Sequence, residues 1–183
     1  MRIALIGLAA FGAKTLEALI KAGEEVVVVG TSPDPDKGKP VVEAAQANGI
    51  PCIQPTRWRD PEVYKKYSSY APDLGVMAFV TNKLPGNILR CPRLGTIEYH
   101  PSLLPRHRGS SAINWAIIQG ESRTGLTIFW VDEGMDTGPI LLQKAVDISP
   151  DDTVGSIYFN TLFPKGIEAI VESVKLVREG KAP

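Results

Sequence analysis

The chain has 183 residues, 44% of them hydrophobic and 22% charged, with 20 basic residues balancing 20 acidic ones. That length suits one well-buried domain rather than two, with the composition of an ordinary globular protein. Zero formal charge argues against a chain whose work is to coat nucleic acid, because basic side chains supply most of the affinity for phosphate. The apolar opening MRIALIG is too short for a signal peptide or a membrane span. A cytoplasmic protein without a membrane partner is expected.

Residues 2–7 are an apolar run ended by glycine, the first predicted strand. A helical pattern follows, with Phe11, Leu16, Leu19 and Ile20 on one side and Lys14, Glu17 and Lys21 on the other, and it stops at Gly23. Residues 26–30 are β-branched up to Gly30 and read as a strand buried on both faces. Residues 32–40 carry Pro33, Pro35 and Pro40 and no apolar residue, which predicts a surface loop. Short helices are predicted over 41–48 and 61–67, the second capped by Asp60, with a short strand at 51–53 between them. Further strands are predicted at 74–78, 96–99, 125–131 and 140–146, a helix at 111–120, and a long helical region over 153–179 interrupted near Pro164. Strand and helix alternate at the spacing of βαβ units. The expected fold class is therefore α/β: a Rossmann-like, mostly parallel sheet with helices on both faces, followed by a smaller mixed segment. Trp115 and Trp130 are expected in the core. Cys52 and Cys91 have neither CxxC spacing nor a histidine nearby and read as two buried thiols in a reducing compartment. With only His100 and His107 as imidazoles, no metal site is expected.

In open α/β sheets, ligands lie beyond the carboxyl ends of the strands. The residues to weigh are therefore those after Gly7, Gly30, Ala78, Tyr99 and Val131. The first turn, Gly7-Leu8-Ala9-Ala10-Phe11-Gly12, falls short of a dinucleotide fingerprint. Ala9 replaces the second glycine, and no acidic residue closes the second strand to hold a ribose. Its glycines read as the needs of a tight strand-to-helix turn. The strongest signal is HPSLLPRHRG, residues 100–109, directly after a predicted strand. Two prolines and a glycine fix the path of this loop, and His100 stands where a general acid or base would meet substrate. Three acidic residues and two glycines follow the next apolar strand, in Val131-Asp132-Glu133-Gly134-Met135-Asp136-Thr137-Gly138. A carboxylate from this loop beside the imidazole would orient it and stabilise its charged form.

The pairing of HPSLLPxxRG with a DxGxDTG loop, at this interval, resembles the catalytic signature of the formyltransferases and hydrolases that use 10-formyltetrahydrofolate. HPSLLPRHRGSSAINW, LLQKAVDISPDDTV and the C-terminal stretch are most similar to the N-terminal hydrolase domains of 10-formyltetrahydrofolate dehydrogenases, and the resemblance covers essentially the whole chain. It implies a single formyltransferase-like catalytic domain over 1–183 without a C-terminal subdomain. Initiator-tRNA formylation, whose enzymes carry an additional C-terminal domain, is accordingly not expected. The implied catalytic trio is an asparagine, a histidine and an aspartate. The histidine falls on His100 and the aspartate on Asp136, while the asparagine position holds Glu98. An asparagine amide can donate to the formyl oxygen, and losing one such donor typically costs about 100- to 1,000-fold in rate. An ionised glutamate donates nothing, and this departure suits the hydrolase branch, which lacks the asparagine. Strand alternation places Glu98 and His100 on one face.

The resemblance also implies a pterin held by backbone groups of Met77, Ala78, Phe79 and Val80 and of Val131, Asp132, Glu133, Gly134 and Met135. The implied substrate is 10-formyltetrahydrofolate as formyl donor, giving tetrahydrofolate, with water, a carrier thiol or an amine as acceptor and no nucleic acid partner. Arg106, His107 and Arg108 read either as a contact for an anionic group, such as a folate glutamate tail or a carrier phosphate, or as a solvated loop. Two other readings are a catalytically weak folate-binding module, suggested by Glu98, and an N-formyltransferase acting on an amino sugar or other amine. In the constrained turn at 101–109, Leu104–Pro105 is a candidate cis bond.

Overall fold

No polar side chain interrupts the run between Arg2 and Gly7, and it forms β1 (Arg2–Gly7), whose last five residues are buried. The computed structural model describes residues 1–183, which divide into two compact units, Met1–Glu98 and Tyr99–Pro183. In the first unit β1 lies between β2 (Glu25–Gly30) and β4 (Leu74–Ala78). β2 pairs with β3 (Cys52–Ile53) and β4 with β5 (Thr96–His100), and every one of these pairings is parallel. The order β3-β2-β1-β4-β5 reverses direction at β1. Right-handed crossovers then put α1 (Ala9–Lys21) and α2 (Pro35–Ala47) on one face and α3 (Pro61–Ser69) on the other. α1 packs on α2, and α3 on the one-turn helix α4 (Gly86–Leu89). α1 buries Phe11, Leu16 and Leu19, the face its helical period sets apart.

A Cβ on Gly7 would stand 2.9 Å from the Gly12 Cα, and one on Gly12 2.8 Å from the Gly7 carbonyl carbon. The glycines thus serve close contact between strand and helix, as the sequence suggested. Ala9 adopts the left-handed conformation (φ +51°) that favours glycine.

Several features of the first unit depart from the sequence reading. α2 begins at Pro35, inside the stretch expected to be loop: the Asp34 carboxylate accepts from the Asp36 N–H at 3.0 Å, and Pro35 fills the first turn, where no N–H is needed. Proline and aspartate signal a helix start as readily as a loop. Asp60 precedes α3 without a side-chain cap bond, and Pro61 opens that helix. Cys52 and Cys91 are free and half-buried rather than buried, although desolvation still pushes both thiols upward.

The second unit carries the antiparallel hairpin of β6 (Arg123–Trp130) and β7 (Ile140–Asp147), registered from Arg123 opposite Asp147 to Ile128 opposite Leu142, with a shift between Ile128 and Phe129. The sheet strands are therefore mostly parallel, with β6 and β7 the antiparallel pair. α5 (Ala112–Ile118) buries Ala112, Ile113 and Ala116, which leaves Trp115 on its flank, 50% exposed instead of in the core. Trp130 is half-buried. α6 (Val154–Ile157) starts with a capping box between Thr153 and Ser156. The interruption expected near Pro164 is a π-helical turn, Tyr158–Leu162. Pro164 itself is the second residue of α7 (Phe163–Arg178), which continues directly from that turn. α7 packs on β6 and β7 and buries Ala169, Ile170 and Val174. No helix is long and apolar enough to cross a membrane.

The contact between Gly7 and Gly12 generates a test. Gly7→Ala should lower stability by about 1–3 kcal/mol, the usual cost of overpacking, in urea denaturation. An unchanged midpoint would contradict the close approach.

Candidate active site

β5 ends at His100, and the loop after it is tied down at nearly every step. The His100 carbonyl accepts from the Ser102 N–H (3.0 Å), and the Ser102 hydroxyl donates to the Arg106 carbonyl (2.6 Å). The Thr127 hydroxyl, buried on β6, accepts from the Leu104 N–H (3.1 Å) and donates to the Ser102 carbonyl (2.7 Å). The Gln143 amide donates to both the Leu104 carbonyl and Thr127 Oγ1, each at 2.9 Å. The Leu104–Pro105 bond is cis. Thr127 and Gln143 escaped the sequence reading because nothing local marks a strand residue that bonds a loop 20 or more positions earlier.

The loop presents His100 in a defined state. Its side chain is buried, and Nε2 lies 2.8 Å from the His107 carbonyl oxygen. A carbonyl only accepts, so Nε2 carries the proton and donates it there. In the neutral ring Nδ1 is then the basic nitrogen. It faces the Asp136 carboxylate, with Oδ2 at 3.6 Å, so the proximity expected of this pair is present. Asp136 Oδ2 also accepts from the Gly109 N–H at 2.6 Å. Asp136 holds a left-handed backbone (φ +53°), rare for a residue with a side chain and concentrated at functional sites.

The acidic loop, though largely exposed, is built around Asp132. Asp132 Oδ1 accepts from the Thr137 hydroxyl (2.6 Å) and the Gly134 N–H (2.9 Å). A Cβ on Gly134 would strike the Thr137 side chain, and one on Gly138 the Trp130 carbonyl, so both glycines are sterically required. Val131 is half-buried, while Glu133 and Met135 are exposed. In the first unit Met77 and Ala78 are buried at the end of β4. Phe79 and Val80 are half-buried just beyond, with Phe79 at φ +61°, and the Ala78 carbonyl accepts from the Leu8 N–H (3.3 Å). Glu98, half-buried in β5, pairs in register with Met77.

Two residues of the basic cluster lie against one carboxylate. His107 Nε2 is 3.0 Å and Arg106 Nη1 3.7 Å from the same Glu121 Oε1, while Arg108 is exposed and its charge acts on Asp132. Glu121 was not singled out in the sequence, where it is one more charge after a helix. No group of three His, Cys, Asp or Glu side chains is placed to hold a metal ion.

The Thr137 hydroxyl bond is the main cause that holds the Asp132 carboxyl below its ordinary range; the Gly134 N–H and the Arg108 charge add to it. A carboxylate depressed in the folded state stabilises the fold above its unfolded pKa, and that contribution is lost as pH falls through the folded pKa. Thr137→Val should therefore raise the Asp132 titration toward the ordinary carboxylate range in a carboxyl-carbon NMR titration and weaken the protein's acid resistance. An unmoved titration would show that the hydroxyl is not the cause.

A family model described as Formyl transferase matches residues 1–174. Over its full length the chain is 47% identical to the mitochondrial 10-formyltetrahydrofolate dehydrogenase of Mus musculus and to the cytosolic 10-formyltetrahydrofolate dehydrogenase of Homo sapiens, but it spans only 20% and 21% of their lengths. It is 40% identical to the methionyl-tRNA formyltransferase of Geotalea uraniireducens, over 99% of this chain and 60% of that one. Among solved structures, phosphoribosylglycinamide formyltransferase from Bacillus halodurans is similar at a TM-score of 0.83 and 28% identity, covering 94% of this chain and 93% of that one. The chain belongs to the formyl transferase family.

Proposed function

We propose that this chain is an enzyme that removes the formyl group of 10-formyltetrahydrofolate, by hydrolysis or transfer, and releases tetrahydrofolate. The observation that carries this reading is the pair His100 and Asp136, with Nε2 engaged and Nδ1 beside a carboxylate. In hydrolysis the water oxygen adds to the formyl carbon while one water proton passes to Nδ1. The carbon–N10 bond then breaks as the imidazolium returns the proton to N10, and formic acid leaves and gives its remaining acidic proton to solvent as formate. Asp136 favours the imidazolium formed between these steps, and general acid–base work of this kind contributes about 100- to 10,000-fold. Transfer to an amine uses the same pair, with the amine nitrogen in place of water. Names among the relatives support both branches, since one is a methionyl-tRNA formyltransferase and others are 10-formyltetrahydrofolate dehydrogenases.

The family resemblance makes backbone groups of Met77, Ala78, Phe79 and Val80, and of Val131, Asp132, Glu133, Gly134 and Met135, the proposed pterin contacts. Apolar walls and main-chain donors and acceptors suit a flat heteroaromatic ring. Glu98, in the position of the family's asparagine, is the residue on which hydrolysis, transfer or mere binding turns.

The direct test is incubation with 10-formyltetrahydrofolate alone, then with candidate amines and carrier thiols, following tetrahydrofolate and formate. Formate released with turnover supports the hydrolase reading, product only with an acceptor supports transfer, and stoichiometric binding without product would overturn both in favour of a binding module. His100→Ala and Asp136→Ala should each cut turnover by about 100-fold or more with circular dichroism unchanged, and the double variant should be little worse than either single one. Near-normal turnover in either single variant would remove that residue from the mechanism.

Glu98→Asn should keep or raise hydrolysis, because a neutral amide donates to the developing oxyanion, and Glu98→Ala should be tolerated. A loss of about 100-fold in both would instead make Glu98 a catalytic base.

A further inference from the structure

His100 is only as well placed as the group that holds its second nitrogen. That group is the carbonyl of His107, a residue with φ +51°, in the left-handed region where an L side chain costs about 1–2 kcal/mol. Such a conformation persists only where its surroundings enforce it. Here the enforcement comes through the His107 side chain. Its ring is largely buried, with Nε2 3.0 Å from Glu121 Oε1.

Glu121 is in turn fixed from below. It follows α5, where the Glu121 N–H donates to the Ala116 carbonyl (3.0 Å) and the Gly120 N–H to the Ile117 carbonyl (3.0 Å), Gly120 having φ +66°. These two bonds are the helix-ending pattern that pins the residue two past the last helical turn. Arg106 Nη1 lies 3.7 Å from the same carboxylate oxygen, and the Arg106 carbonyl is held by Ser102. A continuous set of contacts therefore runs from the end of α5 through Glu121 and the His107 ring to the His107 carbonyl, and from there to His100 Nε2.

We propose that Glu121 and His107 are positioning residues that fix His100 in the Nε2–H tautomer, leaving Nδ1 as the basic nitrogen beside Asp136. This rests on the reading of His100 as the general base but makes a separate claim, about which nitrogen carries the proton and what holds it there. In a Ser-His-Asp triad, an imidazole left in the wrong tautomer loses about 10,000-fold in kcat. Partners that orient a metal-bound imidazole through its other nitrogen are worth roughly 10- to 100-fold, and a loss of that order is expected here.

The chain contains two histidines, so nitrogen NMR of the imidazoles reads the tautomer directly, with His107→Asn assigning the pair. In the unaltered protein the His100 shifts should report Nε2–H. In Glu121→Ala they should move toward a mixture of tautomers, with kcat down about 10- to 100-fold and KM within about twofold. Glu121→Gln keeps an oxygen acceptor for His107 Nε2–H and should retain both the tautomer and most of kcat. His107→Gly removes the anchored ring at a position whose backbone glycine adopts freely, so it should behave like Glu121→Ala. A role confined to holding the loop together would lower the melting temperature or raise KM without moving the His100 shifts. The proposal is overturned if His100 stays Nε2–H in Glu121→Ala, or if Glu121→Gln falls as far as Glu121→Ala. Should Glu121→Ala fail to fold, Glu121→Gln and His107→Gly decide the matter by the same criteria. If the unaltered protein releases no tetrahydrofolate, the functional reading fails while the NMR comparison still tests this one.

Discussion

An imidazole has two nitrogens, and the fold commits one of those on His100 to structure. The bond from Nε2 to the His107 carbonyl fixes both the orientation of the ring and the nitrogen left to exchange a proton. Everything around it follows from the need to hold one carbonyl oxygen still. The loop carrying that oxygen turns back within a few residues of the strand it leaves, so its backbone polar groups cannot all find partners within the loop. Buried backbone groups must nonetheless be paired. Thr127 supplies the answer, accepting from Leu104 and Gln143 and donating to Ser102, so that every hydrogen-bonding direction of one hydroxyl is in use.

The acidic loop meets a different constraint. Its path is dictated by sterics: Gly134 and Gly138 lie where any side chain would collide with Thr137 or with the Trp130 carbonyl. Closing the turn that tightly lets Asp132 gather two hydrogen bonds at one oxygen and puts Asp136 into a left-handed conformation. Asp132 therefore shapes the loop, and Asp136, its Oδ2 holding the Gly109 N–H, is the carboxylate left beside the histidine. Two aspartates four positions apart have separate work, one structural and one electrostatic.

The residues at the centre were legible in the sequence, and those that hold them were not. His100 and Asp136 stand after apolar β-branched or aromatic strands, and strand ends are where α/β folds expose side chains. β4 was readable because Leu74 to Ala78 is wholly apolar and opens directly after Pro72 and Asp73. Glu121, Thr127 and Gln143 offered no such signal. Each acts through a hydrogen bond to a residue 14 to 39 positions away, and no local pattern encodes that separation. In the sequence Arg106 and His107 look like free cations, whereas the end of α5 brings Glu121 against both. Trp115 misled differently. A large apolar residue on a short helix is usually buried, but α5 has room for only one inward face, and Ala112, Ile113 and Ala116 fill it.

On the proposed reading the choice of acceptor does not fall to the His100–Asp136 pair, since water and an amine must both surrender a proton as they add to the formyl carbon. On the opposite side of the reaction, negative charge grows on the formyl oxygen. A neutral amide there lowers the barrier for any acceptor, whereas an ionised glutamate raises it for all of them unless it takes a proton or activates the nucleophile. On the proposed reading Glu98 acts on that charge alone, so an asparagine in its place helps water and an amine alike, and the acceptor is chosen by which nucleophile reaches the formyl carbon.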